Sequence, residues 1–481
     1  MQQHTFRFND HKTLFIAVGV LLVVSVMVVS ELLVKGILRD VYACLAALLV
    51  VSTFGLLLRP RAVLAVLLIY LASPAPTILT QLTSALISVI LILNCFVATA
   101  LAGPGIRISF RSLRLPVLLA GGMLGVVAYG ILQGNSLRYV LGDFYQIAEF
   151  AAVFALTRIH ARSEESWRFL VHVLVGSILI TSILQLSDAA LGADYLPKLE
   201  EFGVKFLRTI NLSAPIAFGA IAALFPAAKA KAKGKLLLAA FSILTVNLVM
   251  GFTRGLWLAT LVSLLFLLFL QPSSDRRKTL KFVFAGTAML AAAFAVTSLL
   301  SANVLRTIEG RISFSFTQYQ NASGDEETLS ARRFIEYFLI GKQVLEHPVL
   351  GKGLGATYEI AGAAILGGPQ GQQVDYHFIH NVYLLIAFRL GIPALLVFCF
   401  LLWKYFRIAI RNYRSSRLPR EDLALMAGLI AAVFGEIALN ITSPAFFNHP
   451  TGGILACVMA LTVAVPKGTS NSESICFSAE N

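Results

Sequence analysis

Residues 236–271 read LLLAAFSILTVNLVMGFTRGLWLATLVSLLFLLFLQ, two apolar runs broken by a single charge, Arg254, between Thr253 and Gly255. A helix needs about 20 consecutive apolar residues to cross a hydrocarbon core of about 30 Å. The runs 236–252 and 254–271 each approach that length. In lipid the backbone polar groups find partners only in one another, so such runs cross as helices. Working outward, similar runs lie near 13–34, 41–58, 62–80, 83–102, 115–133, 139–157, 169–190, 208–227, 282–301, 380–403, 423–441 and 447–465. Two of them carry irregularities: Ser73-Pro74-Ala75-Pro76 interrupts 62–80, and Asp143 and Glu149 fall within 139–157. The fold class expected is all-α, a polytopic transmembrane helical bundle of about 12–14 spans at that residue count per crossing.

Composition supports this and excludes a soluble globular enzyme. Of 481 residues, 57% are hydrophobic and 13% charged, against about 25% charged in a typical soluble domain. The five cysteines, Cys44, Cys95, Cys399, Cys457 and Cys476, have no motif spacing and read as small apolar residues, not as a disulfide or zinc framework. The run 13–34 is longer than a signal-peptide core and lacks a small-residue cleavage site, so it reads as a retained first span.

Orientation follows from Lys and Arg, which concentrate in cytoplasmic loops. With the N-terminus in the cytoplasm, alternate turns on that side hold Arg59/Arg61, Arg107/Arg111/Arg114, Arg158/Arg162/Arg168, Lys229 to Lys235, Arg276 to Lys281 and Lys404 to Arg420. Topology thus accounts for most of the net charge of +14. Short juxtamembrane clusters are not the continuous patch that nucleic acid requires. The division expected is spans one to eleven over 1–301, a periplasmic loop over 302–379, spans twelve to fourteen over 380–465, and a polar cytoplasmic tail over 466–481.

The loop is the one soluble piece of any size. Ala331 to His347 reads as an amphipathic helix, with Phe334, Phe338 and Leu345 at helical spacing and Arg333, Glu336 and Lys342 between them. His347-Pro348 stops it, and Gly351-Lys352-Gly353-Leu354-Gly355 supplies a turn. That turn is not a phosphate-binding P-loop, because Lys352 is followed by Gly. His377 and His380 are three residues apart, but spacing offers no third metal ligand.

Three features carry candidate chemistry. His380-Asn381 opens a span at the outer boundary, where a neutral imidazole can take a proton from a substrate hydroxyl; the bland alternative is an interfacial histidine. Arg254 is a lone basic residue on the outer side, against the positive-inside bias. A guanidinium forks onto phosphate oxygens, whereas the bland alternative is a snorkelling side chain. Arg332-Arg333 open the loop helix, and Arg208 precedes Asn211 at another outer boundary. Together these suggest a pocket for a phosphorylated lipid headgroup.

In this order the residues resemble the O-antigen ligase and polymerase superfamily of bacterial inner-membrane glycosyltransferases. The resemblance runs from about Arg208 to Gly391 and rests on Asn211 followed by small residues, Thr253-Arg254-Gly255, and Arg333 with an aromatic Tyr337 four residues on. It continues through Pro348-Val349-Leu350-Gly351-Lys352-Gly353 to His380-Asn381 with Gly391 after nine residues. It implies a GT-C-type enzyme, independent of nucleotide sugars and of metal, with no cofactor. Its donor would be a glycan on undecaprenyl diphosphate, and its acceptor another glycan or the lipid A core. By the same resemblance His380 is the general base, Arg254, Arg333 and Arg208 bind the diphosphate, and Asn381, Asn211 and Tyr337 support them. A chain-length regulator or a flippase is the kind of protein partner implied. The sequence departs from the pattern at Tyr337, where Trp is usual, and at Arg389, whose expected partners are Glu436 or Glu149. The competing class is a secondary transporter, suggested by Asp143, Glu149, Arg389 and Glu436 within apolar runs. It lacks the internal repeat such folds usually show.

Overall fold

The computed structural model describes residues 60–72, 81–102, 122–191, 198–201, 204–207, 213–228, 230–250, 254–300, 329–360 and 374–464. The runs near 13–34 and 41–58, the stretch 361–371 and the tail 466–481 lie outside them. Thirteen helices are seen among the described residues: α1 (Pro60–Ala72), α2 (Gln81–Ala102), α3 (Gly122–Leu132), α4 (Leu137–His160), α5 (Glu164–Leu191), α6 (Ala214–Leu224), α7 (Lys231–Met250), α8 (Arg254–Leu270), α9 (Ser273–Leu300), α10 (Leu329–Glu346), α11 (Val382–Ser415), α12 (Arg420–Leu439) and α13 (Thr451–Val463). Each apolar run from 62 onward falls on one of them. Four (α4, α5, α11 and α12) are long and apolar enough to cross a membrane by length and composition. Two antiparallel ladders, β1 (Lys198–Glu201) with β2 (Val204–Leu207) and β3 (Tyr358–Ile360) with β4 (Val374–Tyr376), are too short to change the class. The chain is an all-α membrane helical protein.

Helices in lipid gain little from hydrophobicity against one another, so close packing of small residues takes its place. The clearest case is α6, α8 and α12. Gly219 and Gly428 bring the backbones of α6 and α12 together; a Cβ on Gly219 would lie 2.5 Å from the Gly428 carbonyl oxygen. On the next face of α12, Gly435 touches Ala259 and Ser263 of α8. A larger residue at either position would force the helices apart.

Ion pairs mark one end of the bundle. Lys233 meets Glu421 at 2.5 Å, Arg168 meets Asp422 at 2.6 Å, and Arg420 meets Asp275 at 2.6 Å. The starts of α5, α7, α9 and α12 therefore share a level, the one rich in Lys and Arg. The starts of α4, α8 and α11, together with α10, gather at the opposite end. Alternate crossing places them there.

The loop helix is present as α10, but its packed face is not the one marked by Phe338 and Leu345, which are 65% and 77% exposed. Glu336, Ile340 and Val344, spaced by four, turn inward, and Ile340 and Val344 share a core with Leu385 and Phe388 of α11. A carboxylate on the buried stripe is what places the site.

Candidate active site

The site is built around the end of α12. Val382 N–H donates to the Asn440 carbonyl at 3.0 Å, and Tyr337 Oη–H donates to the Ile441 carbonyl at 2.8 Å. A Cβ on Gly255 would lie 2.6 Å from Thr442 Oγ1. Residues 440–442 thus hold together the starts of α8 and α11 and the first half of α10. Tyr337 acts here as a brace between α10 and α12.

Asn381 caps α11. Its side-chain oxygen accepts from Tyr383 N–H at 2.9 Å and Leu384 N–H at 3.1 Å, satisfying donors that a helix start leaves open. His380 precedes the cap. Its backbone N–H donates to Glu336 Oε1 and its ring Nδ1 meets Glu336 Oε2, both at 2.7 Å. The His380 side chain is 36% exposed and that of Glu336 only 6%. The Phe378 ring stands edge-to-face to the imidazole, centroids 4.9 Å apart. A half-open imidazole with one nitrogen bound to a buried carboxylate is equipped for proton transfer.

Arg254 is the first residue of α8, beside Gly255, so its backbone lies next to residues 440–442. Arg333 lies on α10 three residues before Glu336. Arg208 and Asn211 fall outside the described residues. The fold therefore brings the backbones of Arg254 and Arg333 to the end of the bundle that holds His380.

Behind the site, α11 breaks at Gly391, whose φ is 85°, two residues before Pro393. The freed carbonyls of Phe388 and Arg389 accept from Lys352 N–H at 2.8 Å and Gly353 N–H at 2.9 Å, and Ile392 N–H donates to the Pro348 carbonyl at 2.8 Å. The turn after α10 has taken over the hydrogen bonding of the kink. Gly351 and Gly353 also have positive φ, and Gly391 lies against Val349, so only glycine fits the join. Pro348 to Gly353 and the spacing from His380 to Gly391 are two halves of one interlock.

Arg389 is paired, but with neither expected carboxylate. Nη1–H donates to Asp143 Oδ1 and Nη2–H to the His377 carbonyl, both at 2.6 Å. Asp143 Oδ2 accepts from Gly355 N–H at 2.7 Å. The cause is the path of α4, whose start packs on the 351–355 turn and so brings Asp143 to the kink. His377 stacks on Tyr139 at 4.3 Å, with Nε2 3.3 Å from Asp143 Oδ1. His377 and His380 thus turn to different carboxylates. Among the described residues no three His, Cys, Asp or Glu side chains gather to hold a metal ion.

Glu149 has a different partner. Both of its oxygens lie 2.9 Å from His449 Nδ1, Tyr145 Oη–H donates to it at 3.1 Å, and Ser84 Oγ meets His449 Nε2 at 2.7 Å. The order Ser84, His449, Glu149 is that of a nucleophilic triad. Ser84 is fully buried, however, and also bonded to Tyr70, so its hydroxyl meets no substrate and the cluster acts in packing. Glu436 is fully buried, and neither of its carboxylate oxygens has a hydrogen-bond partner. Of the four intramembrane charges that suggest a transporter, three are thus committed to fixed structural bonds.

Sequence reasoning missed Glu336, Asp143 as the partner of Arg389, and His449. A signal existed for Glu336 alone, a carboxylate at spacing four from Ile340 and Val344 on an apolar stripe. Residues 239–399, a third of the chain, match the family model described as O-antigen ligase. No curated protein matches the chain. The resemblance to that superfamily is borne out over those residues; Arg208 and Asn211 precede the matched segment.

Proposed function

We propose, from the O-antigen ligase match and the geometry at His380, that this chain is a membrane glycosyltransferase of bacterial cell-surface polysaccharide synthesis. It works at the periplasmic face of the inner membrane on a glycan carried by undecaprenyl diphosphate. The observation that supports this most is the half-open His380 imidazole, held at the start of a membrane helix near the backbone positions of two arginines.

In the reaction, His380 takes the proton of an acceptor hydroxyl as that oxygen bonds to the anomeric carbon of the donor glycan. The bond from that carbon to the diphosphate oxygen breaks, and the diphosphate leaves with the electron pair. Arg254 and Arg333, with Arg208, hold the diphosphate and stabilise the growing negative charge. Neither a nucleotide sugar nor a metal enters this scheme. With another repeat unit as acceptor the enzyme is a polymerase, which the number of apolar runs favours; with the lipid A core it is a ligase. A chain-length regulator or flippase would meet it in the membrane.

The test is complementation by His380→Ala in a strain lacking the gene, with surface glycan read on a gel. The expected result is normal insertion, lost polysaccharide and accumulated lipid-linked units. Single-repeat lipopolysaccharide in the null strain marks a polymerase, and unattached long chains mark a ligase. Unchanged glycan in His380→Ala would overturn the reading.

A further inference from the structure

One side chain near His380 has no role in the scheme above. Glu336 receives two hydrogen bonds from the same residue, the His380 backbone N–H and ring Nδ1, each at 2.7 Å. A carboxylate accepts and does not donate, so the ring proton belongs on Nδ1 and Nε2 keeps its lone pair. The buried carboxylate covers the Nδ1 edge of a side chain that is 36% exposed, which leaves Nε2 as the ring nitrogen not taken up by Glu336. Among the described residues no other charged group is paired with this ring.

We infer that Glu336 is the positioning residue of the site: it fixes His380 in the tautomer whose Nε2 receives the acceptor proton. The inference rests on the transfer reading for its chemistry, though not for the tautomer itself. The second bond, to the backbone N–H, matters as much as the first. It ties the carboxylate to the residue preceding the Asn381 cap, so the ring is set relative to the axis of α11 and not only to its own χ angles. When the proton arrives, the imidazolium lies 2.7 Å from the Glu336 carboxylate. The same helix carries Arg333 one turn earlier, so the residue that orients the base and one arginine of the proposed donor site share one element.

Two measurements test this. The first reads the ring directly, by solid-state ¹⁵N NMR of protein labelled at its eight histidines, with His380→Ala identifying the signals. Wild type should show Nδ1 protonated and Nε2 bare. In Glu336→Gln the amide oxygen can keep the backbone bond while its NH₂ faces Nδ1 and donates to it, so the proton should move to Nε2.

The second measures transfer by reconstituted protein, using lipid-linked glycan extracted from cells that lack it. Glu336→Gln should lower kcat on the order of 10²–10⁴-fold, the usual scale for losing a general base, with donor KM unchanged. Glu336→Asp should retain more activity than Glu336→Gln. The same tautomer in wild type and Glu336→Gln, a kcat within threefold of wild type, or an Asp variant no better than Gln would each overturn the inference. Wild-type transfer by His380→Ala would instead refute the transfer reading and leave the tautomer result standing.

Discussion

Arg389 and Asp143 lie 246 positions apart in sequence and 2.6 Å apart in space, both almost wholly buried. The pair fastens four segments. Arg389 belongs to α11 just before its kink, Asp143 to the first turns of α4, and the remaining hydrogen bonds reach the carbonyl of His377 and the N–H of Gly355. A buried pair is weak evidence of net stability against an apolar replacement, but removing one partner strands a charge. Here a stranded Arg389 would touch the carbonyl of His377, three residues before His380.

Asp143→Ala should therefore destabilise the protein by about 3–5 kcal/mol, the usual cost of breaking a buried pair from one side. Thermal unfolding in detergent is the measurement. The double variant Asp143→Ala/Arg389→Met should recover much of the loss, since neither charge remains. A double variant as unstable as the single one would show that the hydrogen bonds to His377 and Gly355, not the charge balance, dominate.

Gly391→Ala should cost about 1–3 kcal/mol from the positive φ alone. The clash with Val349 adds to this, because the turn after α10 cannot retreat without giving up its bonds to Phe388 and Arg389. Protease sensitivity within 347–355 should rise in parallel. A variant with unaltered melting and unaltered cleavage would mean that the turn and the kink are not joined as described.

How far the sequence could be read depends on range. Apolar runs are local, and each described run falls on a helix, because lipid forces the backbone to satisfy itself within the segment. The amphipathic helix was legible for the same reason, although Phe338 and Leu345 proved to be its exposed side. His380, Arg254 and Arg333 stand out because charge is conspicuous among apolar residues. Partner choice was not legible. Arg389 could equally have met Glu149, Glu436 or Asp143, and only the path of α4 decides among them. Gly351 to Gly355 showed as a turn and Gly391 only as part of the resemblance, but that the one repairs the other's broken helix depends on backbone contact between distant segments.

His449→Ala tests the claim that the second polar cluster serves packing and not chemistry. The variant leaves Glu149 and Ser84 without their shared partner, a loss of about 1–3 kcal/mol for groups buried without hydrogen bonds. The melting temperature should fall while kcat, measured well below it, stays within threefold of wild type. A large loss of kcat in a protein that still melts normally would make the cluster part of the reaction.

Arg254→Ala and Arg333→Ala should each lower transfer on the order of 10²–10³-fold, the scale seen when one charge-stabilising donor is lost, with membrane expression unchanged. Lys at either position should restore only part, because an ammonium does not fork onto two phosphate oxygens. The rate loss should fall mainly in kcat if the contact strengthens as the diphosphate leaves, and in donor KM if it only anchors the headgroup. Wild-type transfer in either Ala variant would remove that arginine from the donor site.

The two ends of the bundle yield the last prediction, which bears on orientation. The lysine- and arginine-rich end holds Arg417 after α11, and the site end holds Phe378 before it, both exposed. If basic turns face the cytoplasm, Phe378→Cys in a cysteine-free background should react with a membrane-impermeant maleimide in cells with only the outer membrane opened. Arg417→Cys should react only after the inner membrane is also breached. Native Cys399 is exposed on α11 and has to be removed first. Labelling of Arg417→Cys in intact spheroplasts would invert the topology, place His380 on the cytoplasmic side, and make a donor in the outer leaflet untenable.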